Sequence, residues 1–287
     1  MTILIATLTR HAAWLSQDTL AVAPNEGAAR AAKDFAVTAD GEAAARSTFT
    51  GDGVPPEFEP SEFNCKISLL PHLGMLAGVA GSYGAALVWN AVLARRLPIA
   101  DIAELPGWAQ SALPTIMAAV PDAAQLVTVC LGLSRRNGRM MGFVFSSSQG
   151  FEPVELEGGH TMMPTPEPSC CGYDEIVGRW ATAAQGVHVE EFHRLVAMNA
   201  HDSFTRGLWP KGTAMGGQLV TVRLDEQGIT VGAPVDFPGR AELWERIQQQ
   251  RFEEFRRSIV GTDGKPLFDW CGNPNDPPPG RPQSPLN

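Results

Sequence analysis

The residues with the clearest chemical potential stand at the start of the chain. Met1 is followed by Thr2, and so small a second residue favours removal of the initiator methionine. Thr2 would then carry a hydroxyl and a free α-amine, and the amine can act as general base for the hydroxyl of the same residue. Because an α-amine titrates near pH 7.7–8, part of it is neutral at physiological pH. Thr2 would therefore place a hydroxyl and a base on one residue.

Other catalytic and binding patterns are absent from the sequence. The six histidines form no HExxH pattern, and the five cysteines include no CxxC pair. The glycine-rich stretches match no Walker or dinucleotide-binding motif. We therefore predict neither a metal ion nor an organic cofactor.

Composition limits the partners of the chain. Its 287 residues are 44% hydrophobic and 18% charged, which suits one large globular core, and the formal net charge is −9. An acidic chain without a run of Lys or Arg is a poor match for nucleic acid or anionic membranes. With no signal peptide, no long apolar stretch and an odd number of cysteines, we expect a cytoplasmic protein.

A nucleophile at the N-terminus needs strands to position it, and apolar runs supply them. We predict strands at 3–8, 12–16, 66–70, 73–77 (closed by Gly78), 125–133, 139–146, 151–156, 160–163, 218–224 and 229–231. Helices are predicted at 82–95, 106–117, 174–184, 189–200 and 240–260. This order favours an α+β fold: a four-layer αββα sandwich of two antiparallel sheets with helices on both outer faces.

Four segments resemble the proteasome β subunits and their bacterial homologue HslV, which are N-terminal-nucleophile (Ntn) hydrolases. Thr2 begins the first strand, and Asp18 follows sixteen positions later, which is the spacing of that family. Residues 66–78 resemble the family's lysine strand and the hydrophobic-Ala-Gly strand end after it. The helix ending at 93–96 and the Gly-Gly strand at 216–229 complete the likeness, which covers about residues 2–235 except 22–60.

The resemblance implies a set of site residues. Thr2 would be the nucleophile, Lys66 would lower the pKa of its hydroxyl, and Asp18 would hold Lys66 in place. The backbone N–H of Gly78 would bind the oxyanion, Asp202 would be a second acid near the amine, and Ser169 an accessory serine. Four of these residues have a plainer alternative: Thr2 as an N-terminal residue that precedes a strand, Asp18 capping a turn, Lys66 as a solvated strand-edge charge, and Gly78 serving close packing.

The implied function is that of an N-terminal threonine amidohydrolase or peptidase, with a peptide or amide substrate and a homo-oligomeric assembly. The implied domains are a proteasome-like Ntn domain at 1–238, with a surface insertion at about 22–60, and a C-terminal helix and Pro-rich tail at 239–287. The insertion and the tail leave an alternative open. The fold would then be catalytically silent and serve as a structural subunit of a large assembly, such as a phage-like tail or ring in a virion-like particle.

Overall fold

The computed structural model describes residues 3–24, 58–63, 66–81, 83–95, 97–119, 126–159, 161–162, 188–205 and 214–258. Its strands are β1 (Leu4–Leu8), β2 (Ala12–Asp18), β3 (Leu20–Pro24), β4 (Phe58–Phe63), β5 (Ile67–Leu70), β6 (Met75–Gly81), β7 (Leu126–Ser134), β8 (Arg139–Ser146), β9 (Val154–Glu155), β10 (Thr161–Met162), β11 (Gln218–Asp225), β12 (Gly228–Val231) and β13 (Val235–Asp236). Its helices are α1 (Tyr83–Leu93), α2 (Leu105–Ala119), α3 (Val189–Thr205) and α4 (Arg240–Ser258). The predicted helix at 174–184 lies outside the described residues.

Most of the strands form two antiparallel sheets. The first sheet has the order β10-β1-β2-β11-β12, with β13 also beside β11, and the second has the order β5-β6-β7-β8-β9. The β7–β8 hairpin turns at Asn137-Gly138, where Gly138 has a φ of 60°, a conformation that glycine adopts without strain. The predicted α+β fold with two antiparallel sheets is therefore confirmed.

The two sheets pack face to face through an apolar core. Leu4 and Leu15 of the first sheet share one buried cluster with Leu76, Val129 and Leu131 of the second. Residues of the second sheet share a buried apolar cluster with α1 and α2, and residues of β1 and β11 share another with α3. Every residue of β1 and β2 is buried, and these include polar residues such as Ser16 and Gln17.

The predicted bounds of three strands are wrong. The strand predicted to end before Gly78 continues to Gly81. The strands predicted at 151–156 and 160–163 shrink to β9 and β10 and join different sheets: β9 pairs with β8, and β10 pairs with β1. The chain therefore crosses from one sheet to the other between β9 and β10, which local sequence patterns do not reveal.

The predicted insertion is flanked by β3 and β4, which pair with each other in a separate two-stranded sheet. Residues 25–57 lie outside the described part of the chain. The chain divides into two compact units, residues 1–244 and residues 245–287, and the boundary between them falls within α4. Within the described residues, no helix has the length and apolar character needed to span a membrane.

Gly78 lies where the two sheets approach each other closely. A Cβ at this position would stand 2.6 Å from Leu4 Cδ1 and 3.1 Å from Leu15 Cδ2. We therefore expect Gly78→Ala to lower the free energy of unfolding by about 1–3 kcal/mol, measured by urea denaturation, because overpacking forces these side chains out of their rotamers. This supports the close-packing alternative for Gly78.

Gly107→Ala is the matched control for this prediction. Gly107 lies in α2, where a Cβ would meet nothing within 4 Å. We expect this variant to be neutral or more stable by up to about 1 kcal/mol, because alanine favours helix. Equal stability of the two variants would show that the sheets do not touch at Gly78.

Candidate active site

Asp18 and Lys66 meet at one end of the sandwich. Asp18 is the last residue of β2, Lys66 directly precedes β5, and Lys66 Nζ donates a hydrogen bond to Asp18 Oδ2 at 3.2 Å. The Asp18 side chain is fully buried, and 14% of the Lys66 side chain is exposed. Lys66 Nζ also donates to the Leu20 carbonyl at 2.6 Å. The structure thus brings together two predicted site residues from different sheets.

The same carboxylate holds the start of the chain. Asp18 Oδ1 accepts the backbone N–H of Ile3 at 2.9 Å. This N–H belongs to the peptide bond that joins Thr2 to Ile3, so the carboxylate binds the residue that directly follows Thr2 in the chain. Thr2 itself lies outside the described residues, and so does Ser169. Their predicted roles stay predictions.

Burial shifts both pKa values of the pair toward the neutral forms. Loss of solvent raises the pKa of Asp18, and the Lys66 charge and the Ile3 N–H oppose this rise. Loss of solvent lowers the pKa of Lys66, and Asp18 opposes this decrease. Lys66 is thus a largely buried amine, hydrogen-bonded to the carboxylate that also accepts the Ile3 N–H. It is not the solvated strand-edge charge of the plainer alternative.

The backbone of Gly78 faces away from this pair. Gly78 pairs with Val129 of β7, and its carbonyl accepts the Thr128 hydroxyl at 3.0 Å. Because the N–H and C=O of one residue in an antiparallel sheet point to the same neighbouring strand, the N–H of Gly78 also points to β7. This geometry argues against the oxyanion role that the resemblance implies for Gly78.

Gly81 stands at the position that the resemblance describes, the end of the strand. It is exposed and has a φ of 116°. It lies three positions after Gly78, and backbone groups alternate sides along a strand, so its backbone groups point to the opposite side of β6, where the ladder with β5 has already ended at the Ile67–Gly78 pair. The hydrophobic-Ala-Gly pattern occurs twice in succession, at 76–78 and 79–81, and only the strand end distinguishes the two copies.

Asp202 lies near the C-terminal end of α3 and is exposed. Asp18, by contrast, is fully buried. The role of Asp202 as a second acid near the amine stays a prediction.

A buried polar network lies between the first sheet and α3. His193 of α3 is completely buried, and its Nε2 and Nδ1 atoms each lie 2.7 Å from a hydroxyl, of Thr7 and Ser16 respectively. The Ser16 hydroxyl lies 2.7 Å from that of Thr221. This Ser–His contact has no access for a substrate, so we interpret it as a structural link between the helix and the sheet.

The network should make the protein sensitive to acid. Burial lowers the pKa of His193 to about 3, whereas an unfolded histidine titrates near 6.5. As the pH falls, His193 therefore binds a proton at a higher pH in the unfolded state than in the folded state. Its contribution to the free energy of unfolding is fully present above pH 6.5 and is lost as the pH falls toward 3. We expect a loss of about 1 kcal/mol per pH unit below pH 6, measured by urea unfolding.

His193→Gln should be less stable at pH 7 and should lose less stability on acidification. His11, whose side chain is 74% exposed, provides the control: His11→Gln should keep the wild-type pH dependence. A wild-type pH dependence in His193→Gln would contradict the assignment.

The described residues offer no metal centre, since they contain no group of three His, Cys, Asp or Glu side chains placed to hold an ion. A cavity of about 370 Å³ lies at the far end of β1, lined by residues that include Leu8, Arg10, Arg139 and Gly159. Ile3, which is hydrogen-bonded to Asp18, precedes the start of β1, whereas Leu8 is the last residue of that strand. This cavity is therefore not the space beside Asp18 and Lys66.

Comparisons with known proteins support the fold. No protein-family model and no curated protein matches the chain. Among solved structures, the chain is similar to a Gly-1 mutant of Anbu from Hyphomicrobium sp. strain MC1, with 13% identity, a TM-score of 0.52, and coverage of 89% of this chain and 99% of the other. Anbu from Yersinia bercovieri, described as an ancestral beta-subunit, gives 10% identity, a TM-score of 0.49, and coverage of 88% and 94%.

The fold assignment rests on the first of these two structures. At such low identity the likeness concerns the fold and not the chemistry. The chain therefore has a proteasome-like fold, which it shares with Anbu.

Proposed function

We propose that the chain is an N-terminal threonine amidohydrolase or peptidase. The observation that carries the proposal is the buried Asp18–Lys66 pair, which is hydrogen-bonded to the backbone N–H of Ile3 and so adjoins Thr2. A buried ion pair has a high desolvation cost, and an apolar pair would be at least as stable there. Its position beside a potential nucleophile favours a chemical role.

The reaction would begin once Thr2 is the first residue of the chain. The Thr2 hydroxyl oxygen attacks the carbonyl carbon of the amide, and the hydroxyl proton passes to the α-amine. The C–N bond of the substrate then breaks, the leaving amine takes the proton, and an ester to Thr2 remains. Water attacks this ester through the same base, releases the acid and restores Thr2. Lys66 stabilises the developing alkoxide, and Asp18 keeps Lys66 oriented.

We assign the oxyanion donor to the N–H of Gly81 in place of Gly78. Gly81 is exposed at the end of β6, and its backbone groups point to the side of the strand on which Lys66 precedes β5. A donor at a strand end can reach a substrate carbonyl, whereas a donor inside the ladder already has a partner.

We further propose the four-layer αββα arrangement of Ntn hydrolases, a peptide or amide substrate, a homo-oligomeric assembly and a cytoplasmic location. The apolar clusters on both outer faces of the sheet pair support the first. The likeness to Anbu over most of both chains supports a proteasome-like subunit.

Covalent labelling tests the proposal directly. The purified protein is analysed by intact mass, treated with a peptide vinyl sulfone, and digested to locate the adduct. We expect a mass that corresponds to Thr2 as first residue, and one adduct, on Thr2. A retained Met1 together with no adduct would overturn the proposal and favour the alternative, a catalytically silent subunit of a larger particle.

A further inference from the structure

Gln17 is a buried amide at the junction of the two sheets. It precedes Asp18 in β2 and is 1% exposed. Its Nε2 donates a hydrogen bond to the Val79 carbonyl of β6, in the opposite sheet. Its Oε1 is buried, has no hydrogen-bond partner among the described residues, and lies 3.3 Å from the position that a Cβ on Gly78 would take.

The Val79 carbonyl lies directly beyond the end of the ladder between β5 and β6. The ladder between β5 and β6 ends at the Ile67–Gly78 pair. Val79 is the next residue along β6, and its backbone groups point to the β5 side, because those of Gly78 point to β7. Gln17 thus holds β6 at the level of Lys66, the residue that precedes Ile67.

Stability alone does not explain an amide at this position. Leu4 and Leu15 are its apolar neighbours around Gly78, and a buried oxygen without a partner is unfavourable. An apolar side chain of the same length would remove that orphan oxygen while losing one hydrogen bond, so the two changes would largely offset each other. The amide is better explained by what it holds in place.

We propose that Gln17 is a positioning residue that joins β2 to β6 and thereby sets the separation of Asp18 from Lys66. Asp18 follows Gln17 directly in β2, and Lys66 directly precedes β5, which pairs with β6 as far as Gly78. The Gln17–Val79 hydrogen bond and the Asp18–Lys66 contact therefore connect β2 to the same pair of strands through neighbouring residues. The catalytic significance of this link rests on the proposed function, whereas the link itself does not.

Lysine NMR measures the effect without requiring activity. The sequence contains only four lysines, at 33, 66, 211 and 265, so labelling lysine with ¹³C at Cε yields few resonances, and Lys66→Arg identifies the one from Lys66. Gln17→Met keeps the length of the side chain and removes the amide. We expect it to melt within about 3 °C of the wild type. The Lys66 titration midpoint should move further below the ordinary lysine value of about 10.4, because a longer Asp18–Lys66 separation weakens the contact that opposes the decrease.

Thr128→Val is the matched control. Thr128 is also fully buried and also donates to a β6 carbonyl, that of Gly78, but from the β7 side. Its hydroxyl also accepts the Trp89 Nε1–H, so this variant should melt at a lower temperature while the Lys66 midpoint stays unchanged. If Gln17→Met does not fold, Gln17→Asn takes its place, because its amide is one methylene too short to reach Val79.

The outcomes separate the two proposals. A Lys66 midpoint that is unchanged in the folded Gln17 variant, or that moves equally in Thr128→Val, overturns the positioning role. If the protein hydrolyses amides, Gln17→Met should lower kcat about tenfold with little change in KM, since binding of the substrate is not affected. A protein without hydrolytic activity would refute the proposed function and still leave the NMR result interpretable.

Discussion

Lys66→Ala is expected to lower the free energy of unfolding by about 3–5 kcal/mol, because it leaves the fully buried Asp18 carboxylate without its countercharge. In the folded state the remaining carboxyl would titrate at a higher pH than in the wild type, since burial already raises the pKa of Asp18 and Lys66 opposes that rise. Urea unfolding at pH 7 measures the loss, and unfolding at lower pH should show it decrease as Asp18 becomes protonated.

The double variant Asp18→Asn/Lys66→Met separates stability from chemistry. It removes both charges, keeps similar volumes, and retains an amide oxygen that can accept the Ile3 N–H. Replacing a whole buried pair is often neutral, so we expect stability within about 1–2 kcal/mol of the wild type. We expect this double variant to lack amide hydrolysis, since it has no Lys66 to stabilise the Thr2 alkoxide.

Arg139→Ala serves as the surface control for the pair. Arg139 forms an ion pair with Glu155 at 2.8 Å, and both side chains are about half exposed. Such a pair contributes little, so the variant should lose less than about 1 kcal/mol. If Lys66→Ala is no less stable than Arg139→Ala, the Asp18–Lys66 pair is not buried as described.

Thr2→Ala is expected to reduce amide hydrolysis by at least about 10⁴-fold while leaving the folded structure unchanged. The variant retains a small second residue, so processing of Met1 and the α-amine are preserved, and only the hydroxyl is lost. The measurement is the rate of peptide-amide hydrolysis at saturating substrate, together with a melting temperature that matches the wild type.

Thr2→Ser is the control that keeps a hydroxyl at the same atom. We expect it to retain much of the hydrolysis and the vinyl sulfone adduct, because the amine and the nucleophile remain on one residue. Full hydrolysis by Thr2→Ala would exclude Thr2 as the nucleophile. Equal loss in both variants would instead indicate that the threonine methyl group is needed to orient the hydroxyl.

Elements with local signals could be predicted from the sequence. The β7–β8 hairpin depends on two apolar runs and the Asn137-Gly138 turn, and the structure places both strands within one residue of the expected bounds. Helix α3 begins at Val189 as expected, with Glu190 and Glu191 in its first turn, where they complement the helix dipole. These features need only neighbouring residues to define them.

Pairings between distant segments were beyond local patterns. β9 and β10 are separated by five residues, yet they belong to different sheets, because their partners β8 and β1 are fixed by the whole fold. The end of β6 depends likewise on β7, which continues to pair as far as Gly81. If β6 is predicted to end at the first Ala-Gly pair, at 77–78, the oxyanion donor is assigned to Gly78, whose backbone groups point to β7.

For the candidate site, the sequence by itself determined the chemical types: a threonine near the start, an aspartate at the end of a strand, and a rare lysine before another. Only the tertiary structure decided that Asp18 and Lys66 are in contact across 48 positions of the chain, that Asp18 also binds the Ile3 N–H, and that Gln17 links the sheets beside them. The physical reason is that residue spacing limits which side chains can meet, whereas burial and strand register decide which of them do.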